Sequence, residues 1–303
     1  MIKKVAYLIL CHTDEKQLIR LVNSLDYKCD FYIHIDAKAD IDKFQGALIG
    51  RENVYFTRDR YKVSWAGFNM ILATKELMKA ALEKQEPYSH LVLLSGMDYP
   101  IKSKKYIHNF LVSKRDTQFI RGFDIAKANS KHYLKQIQKY WFYDMPSNSN
   151  IFKGIREAFH YICLPLTKAT EISLANGERL APCFGSQWWA LTPSCANYVL
   201  QYSATHKEID RYFKHSFSPD EKYIQTIVLN SSFSNSTTAV GAEGFKEAEH
   251  SMLSNLHIID SSLSKYFNEE DFNEVIESDK LFVRKVSTKV STKLLNRIDN
   301  YIE

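Results

Sequence analysis

The sequence predicts an α/β fold with a mostly parallel central sheet flanked by helices, and three observations carry that expectation. The apolar run Leu91-Val92-Leu93-Leu94 stops in Ser95-Gly96-Met97-Asp98-Tyr99-Pro100, the pattern of a buried central strand whose carboxyl end opens into a loop. In open α/β sheets ligands sit at that end of the strands, so Asp98 is expected on display there rather than buried. Residues 4–10, 14–24 and 30–35 read as strand, helix and strand, a βαβ opening that builds parallel sheets through right-handed crossovers. Over residues 67–84, Ile71, Leu72, Met78 and Leu82 recur at helical spacing and supply a covering helix.

The remaining elements follow in order. Residues 53–56 read as a third strand, 104–114 as a helix and 118–120 as a strand that completes the first half. Residues 123–181 are aromatic and basic without a clean period, and are expected to form helices and loops that shape a cleft. Residues 182–191 should return to the sheet, and 193–202 and 218–229 should be helical. The last stretch puts Leu294, Leu295, Ile298 and Ile302 on one helical face with Lys293 and Arg297 beside it. It reads as a terminal helix docked on the body, with weak contact to a membrane surface as the alternative. The expected division is a body over residues 1–286 and a basic amphipathic helix over 287–303.

A hydrophobic content of 45% in 303 residues is ample for a core, and nothing in the chain reads as a linker. The net charge of +5 allows attraction to an anionic membrane face or a phosphorylated ligand, but the lysines lack the interleaved aromatic motifs of a nucleic-acid binder. Cys11, Cys29, Cys163, Cys183 and Cys195 show no C-x-x-C spacing, as expected of buried or incidental thiols in a reducing compartment. The first apolar stretch is interrupted at Cys11-His12-Thr13-Asp14, too short for a membrane span, and lacks a small-residue cleavage site. G-x-G-x-x-G after the first strand, G-x-x-x-x-G-K and G-x-S-x-G are all missing, so dehydrogenase, P-loop and hydrolase-elbow readings fail. His12 with Asp14 or Glu15, and His34 with Asp36, lack the closed spacing of a structural zinc site.

Five further segments accompany the one ending at Tyr99-Pro100. They are His34-Ile35-Asp36-Ala37-Lys38, Val63-Ser64-Trp65-Ala66-Gly67, Gly185-Ser186-Gln187-Trp188-Trp189 before Thr192-Pro193, Ser218-Pro219-Asp220-Glu221, and Leu281-Phe282-Val283-Arg284-Lys285-Val286. Together and in this order, the six closely resemble the core-2/I-branching family of glycosyltransferases, which holds β-1,6-N-acetylglucosaminyltransferases and peptide O-xylosyltransferases. The resemblance implies a GT-A-like fold and an inverting, metal-independent transfer of a sugar from a UDP-sugar to a hydroxyl of a glycan acceptor. N-acetylglucosamine is the first expectation, in surface polysaccharide synthesis; xylose is the second, and a non-catalytic sugar-binding relative is the reading from another class. No cofactor is expected, the UDP-sugar being a substrate. Animal members of the family are Golgi-anchored and disulfide-rich. This chain shows neither pattern, which points to a bacterial cytoplasmic enzyme, with peripheral contact at the inner membrane face through the terminal helix.

Such a transfer needs a base for the acceptor hydroxyl and positive charge for the departing diphosphate. Glu221 is the candidate base: the resemblance makes it so, while spacing alone reads Ser218-Pro219-Asp220-Glu221 as a capping box. Lys285 takes the position of the family's phosphate-gripping Lys, with Arg284 beside it. His257 stands where the family carries a second basic residue, usually Arg, so either it is protonated beside the phosphates or Arg284 takes over. Where GT-A enzymes usually carry Asp-x-Asp for a metal, Asp98 stands without a partner carboxylate, a poor cage. Asp36 and Lys38 match positions near the uridine, against the reading of Asp36 as an exposed turn residue. Trp65 matches a motif near the nucleotide, against a place in the core. Of Trp188 and Trp189, one is expected to face the core and the other to stack on an acceptor sugar.

Overall fold

The computed structural model describes residues 3–145, 150–246 and 253–302; Met1, Ile2 and Glu303, at the ends of the expected body and terminal helix, lie outside them. The opening is β1 (Lys4–Cys11), α1 (Glu15–Leu25) and β2 (Cys29–Ile35), followed by α2 (Ile41–Ala47), β3 (Val54–Phe56), α3 (Asn69–Glu83), β4 (Tyr88–Ser95), β5 (Asp98–Pro100) and α4 (Lys104–Ser113). The central sheet runs in the order Ala190–Leu191, β4, β1, β2, β3. It is parallel throughout except at Ala190–Leu191, and Leu8 lies between Tyr32 on β2 and Leu93 on β4. Every residue of β2 and β4 is buried, as strands covered on both faces require.

One face of the sheet packs Tyr7, Ile9 and Ile33 against Leu18 and Leu21 of α1, Phe44 of α2 and Ile107 of α4. The other packs Leu8, Tyr32 and Leu93 against Ile71, Leu77 and Met78 of α3 and Val199 of the helix Pro193–Thr205. Asp14 caps α1 by accepting from the Gln17 amide at 3.2 Å. The cap of α3 comes from far away in sequence: the Asp144 carboxylate accepts from the Phe68 and Asn69 amides at 2.5 and 3.1 Å. A Cβ at position 67 would collide with that carboxylate, so the Gly of Trp65-Ala66-Gly67 is a packing requirement.

A second sheet joins His257–Ile259, Phe282–Arg284 and β5. β5 runs antiparallel to Phe282–Arg284 and sets Asp98 opposite Arg284. The helix Thr288–Ile302 closes this side by packing Leu294, Leu295 and Ile298 against Tyr99, Ile101, Phe267 and Val283. Its Asp299 accepts from the Tyr99 hydroxyl and from Arg20 of α1, both at 2.6 Å. The apolar face that offered a membrane contact is therefore spent on the body.

Three expected elements differ. Residues 118–120 form only isolated bridges, Phe119 with Ala190 among them. Residues 182–191 form two two-residue strands, Cys183–Phe184 and Ala190–Leu191, with a loop between them. Residues 218–229 split into a 3-10 turn, Pro219–Glu221, and the helix Tyr223–Leu229. The five cysteines are free, four of them buried. No helix among the described residues is long and apolar enough to cross a membrane.

Candidate functional site

The carboxyl ends of β1, β2 and β4 open onto a cavity of about 830 Å³. Its walls come from the sheet ends (His12, Asp36, Ser95), the 185–188 loop, the Ser218-to-Glu221 turn and the end of the second sheet. Asp36 and Lys38 face it from the end of β2. The Asp36 carboxylate is buried in its own turn, accepting from the Lys38 amide at 2.8 Å with the Lys38 ammonium 3.6 Å away. It is thus a turn residue and a wall residue at once. Arg60 fixes that turn by donating to the carbonyls of Ile35, Asp36 and Ala39 at 3.0, 2.9 and 2.6 Å. Burial pushes the neighbouring His34 down to about 4, so it stays neutral and accepts from the Tyr61 amide at 3.0 Å.

Asp98 is not on display. The Ser95-Gly96-Met97 turn sends the chain straight back into β5, and Asp98, its first residue, is fully buried behind the cavity wall. Its carboxylate accepts from the Ser95 amide at 2.8 Å, from His257 Nε2 at 3.1 Å and from Arg284 Nη1 at 2.7 Å. Burial works against its charge, but the Arg284 guanidinium and His257 hold the carboxyl below its usual range. His257 is likewise off the cavity: it is buried, stacked on Phe282 with ring centroids 5.1 Å apart, and acts as a second support for Asp98. Of the two alternatives raised for His257, a place beside the phosphates does not match this position, whereas a takeover by Arg284 does. Arg284 is what reaches the cavity, its guanidinium carbon 4.0 Å from the centroid of the Trp188 indole. Lys285 lies half-buried beside it, lowered by burial and by the Arg284 charge.

Of the two tryptophans Trp188 lines the cavity and Trp189 is enclosed in the core, so Trp189 is out of reach of an acceptor. Trp65, 72% exposed, is a lip residue rather than a core one, edge-on to Tyr143 and Phe217 at 5.7 and 5.4 Å.

At the turn carrying Glu221 the capping box does not form. Ser218 has φ of 42° and its side chain makes no cap bond, which leaves the Glu221 carboxylate unoccupied by that role on the cavity wall. Burial pushes the Glu221 carboxyl up to about 7, with Asp220 adding and Lys222 opposing. Asp220 is raised too, by burial, and its Oδ1 is buried without a hydrogen-bond partner among the described residues. Sequence reasoning missed Lys222. It is fully buried, its ammonium donates to the carbonyls of Phe217 and Ser218 at 3.0 and 3.1 Å, and burial pushes it down to about 8. It clamps the turn that presents Glu221; its only signal in the sequence is a lysine opening the apolar run Tyr223-Ile224. His132, Tyr133 and Gln136, from the helix Lys131–Gln138, supply a further wall out of the stretch expected to shape a cleft.

Among the described residues no group of three His, Cys, Asp or Glu side chains is placed to hold a metal ion, and Asp98 is already engaged. A cavity with a carboxylate on one wall and two cations on another suits the transfer of a group from an anionic leaving group to a hydroxyl.

The comparisons with known proteins agree. A pig protein named probable β-1,3-galactosyl-O-glycosyl-glycoprotein β-1,6-N-acetylglucosaminyltransferase 7 is 25% identical over 245 residues, 79% of this chain and 53% of that protein. Human xylosyltransferase 1 is 21% identical over 311 residues, 99% of this chain and 30% of that protein. The chain thus spans about half the length of the first of these relatives and about a third of the second. Among solved structures, the 4-diphosphocytidyl-2C-methyl-D-erythritol synthase of Anaerococcus prevotii aligns over 90% of this chain and 95% of its own, with a TM-score of 0.40 and 11% identity, too remote to bear on the site. The profile of the Core-2/I-Branching enzyme family matches residues 5–258, and the chain belongs to that family.

Proposed function

We propose that the chain is an inverting, metal-independent glycosyltransferase that moves a sugar, N-acetylglucosamine first, from a UDP-sugar to a hydroxyl of a glycan acceptor, in surface polysaccharide synthesis. The observation that carries this reading is Glu221, an uncapped carboxylate on the cavity wall raised to about 7 by burial. A base with that affinity for a proton is matched to work near neutral pH. In the step, the acceptor oxygen attacks the anomeric carbon from the face opposite the diphosphate, the bond from that carbon to the diphosphate oxygen breaks, and the acceptor proton passes to Glu221. Arg284 and Lys285 offset the charge that develops on UDP, and Asp98 keeps Arg284 in place from behind. On this reading Asp36 and Lys38, which line the cavity at the end of β2, meet the nucleoside.

Xylose is the second donor, in line with the xylosyltransferase 1 relatives. The case for a sugar-binding relative without turnover rested on His257, and that residue supports Asp98 rather than facing the cavity. UDP release measured over a panel of UDP-sugars, with hydroxyl acceptors and with chelator present, tests the reading. The expected result is acceptor-dependent release, fastest with UDP-N-acetylglucosamine and unchanged by EDTA. Release that needs manganese, or none with any donor, would overturn it.

A further inference from the structure

The helix Asn150–Cys163 is amphipathic in the opposite sense to a docked one. Ile151, Ile155, Phe159 and Ile162 fall at helical spacing on one face, and they are 74%, 40%, 47% and 70% exposed. The residues of this helix that are half-buried are Arg156, His160 and Cys163. The body takes the polar flank: Trp141 packs on His160 with ring centroids 5.7 Å apart, and among the described residues only Phe159 of the stripe has a ring neighbour there, Phe142 at 5.8 Å. The apolar stripe continues past the helix end in the exposed Leu164 and Leu166. An exposed apolar patch of this kind marks an interaction surface, since water-facing helices do not ordinarily turn their apolar side outward.

Charge says what the surface meets. Over residues 127–168 the exposed lysines Lys127, Lys131, Lys135 and Lys153 stand against one exposed acidic residue, Glu157, while Lys168 is turned inward onto the Tyr212 and His215 carbonyls. An exposed apolar helix face set in a lysine-rich stretch is the signature of a helix lying in the interface of an anionic lipid surface.

We propose that the helix Asn150–Cys163 seats the protein on an anionic lipid bilayer, its apolar stripe in the headgroup layer. The terminal helix, whose apolar face is buried, does not do so. The seat adjoins the cavity: Trp141, which packs on the helix, is also 5.2 Å from Phe217, the residue before Ser218 and the Glu221 turn. A protein seated there holds the cavity lip beside the bilayer, where an acceptor carried on a lipid would be presented. The lipid contact itself stands independently of the transferase reading.

The test is co-sedimentation of the full chain with vesicles of phosphatidylcholine alone and of phosphatidylcholine mixed with phosphatidylglycerol, at low and high salt. The parent chain is expected to bind the anionic vesicles and to be released by salt. The double variant Ile151→Ser, Ile162→Ser removes two exposed side chains and should bind at least about tenfold more weakly, with its melting temperature and UDP affinity unchanged. Lys153→Glu should weaken binding to anionic vesicles and leave the phosphatidylcholine result as it was. Failure of the parent to bind anionic vesicles, or equal binding by the double variant, would overturn the proposal. So would a dimer in solution that the double variant breaks apart, since the face would then be an interface between two copies of the chain.

Discussion

Replacing Asp98 by Asn tests how the cations of the cavity are held. The native carboxylate divides its oxygens: Oδ1 takes Arg284 at 2.7 Å, and Oδ2 takes the Ser95 amide at 2.8 Å and His257 at 3.1 Å. An amide of the same shape offers one oxygen, so its NH2 must face either the Arg284 guanidinium or the Ser95 N–H, donor against donor. His257 can adapt by changing tautomer, but Arg284 and Ser95 cannot. Removing one partner of a buried ion pair costs about 3–5 kcal/mol, and the small exposure of the Arg284 side chain, 12%, lets water recover part of it. The expected loss is about 3 kcal/mol, which in a chain of this size lowers Tm by roughly 6–12 °C. Calorimetry on Asp98→Asn, Arg284→Met and the double variant gives the coupling: the double should be less destabilised than the sum of the singles by about 1–3 kcal/mol. UDP affinity should fall in Asp98→Asn although Asp98 does not line the cavity. A Tm within about 2 °C of the parent with unchanged UDP affinity would refute the supporting role of Asp98.

The pH profile and Lys285 give two further checks. Because burial raises Glu221 to about 7, the carboxyl is protonated below that pH and cannot take the acceptor proton, so kcat/KM should climb with pH through a midpoint near 7. Asp220→Asn removes a charge that raises Glu221, so that midpoint should move to lower pH; a flat profile from about pH 5.5 to 8 would sink the assignment. Lys285→Ala should weaken UDP binding by about tenfold in calorimetric titration, while the exposed Lys104→Ala leaves it alone. Lys265, which pairs with Asp271 at 2.6 Å, is unsuited as that control.

The central sheet was legible because β1, β2 and β4 are covered on both faces, and double burial writes itself into β1 and β4 as the apolar runs Val5 to Leu10 and Leu91 to Leu94. The second sheet was not legible. β5 has three residues, its partner Phe282–Arg284 lies far along the chain, and no local pattern announces such a pairing. The misplacement of Asp98 follows from that one omission, and so does that of His257, which the same pairing brings behind Arg284. The segments at Asp36, Trp188, Glu221, Arg284 and Lys285 were found through resemblance, and the fold brings all five residues to one cavity. Spacing alone favoured a cap at Glu221, because a capping box assumes an extended N-cap; Ser218 sits instead in the left-handed region, where its hydroxyl makes no cap bond. Lys222 was missed because a lysine that bonds two backbone carbonyls inside the core has no sequence period to betray it.

Glu221→Gln measures the proposed chemistry most directly, since the amide keeps the size of the side chain but cannot take a proton. Steady-state transfer from UDP-N-acetylglucosamine, measured beside UDP affinity and Tm, should show kcat reduced at least about a hundredfold, with affinity and Tm near those of the parent. Turnover within a few fold of the parent would contradict the assignment of Glu221 as the base.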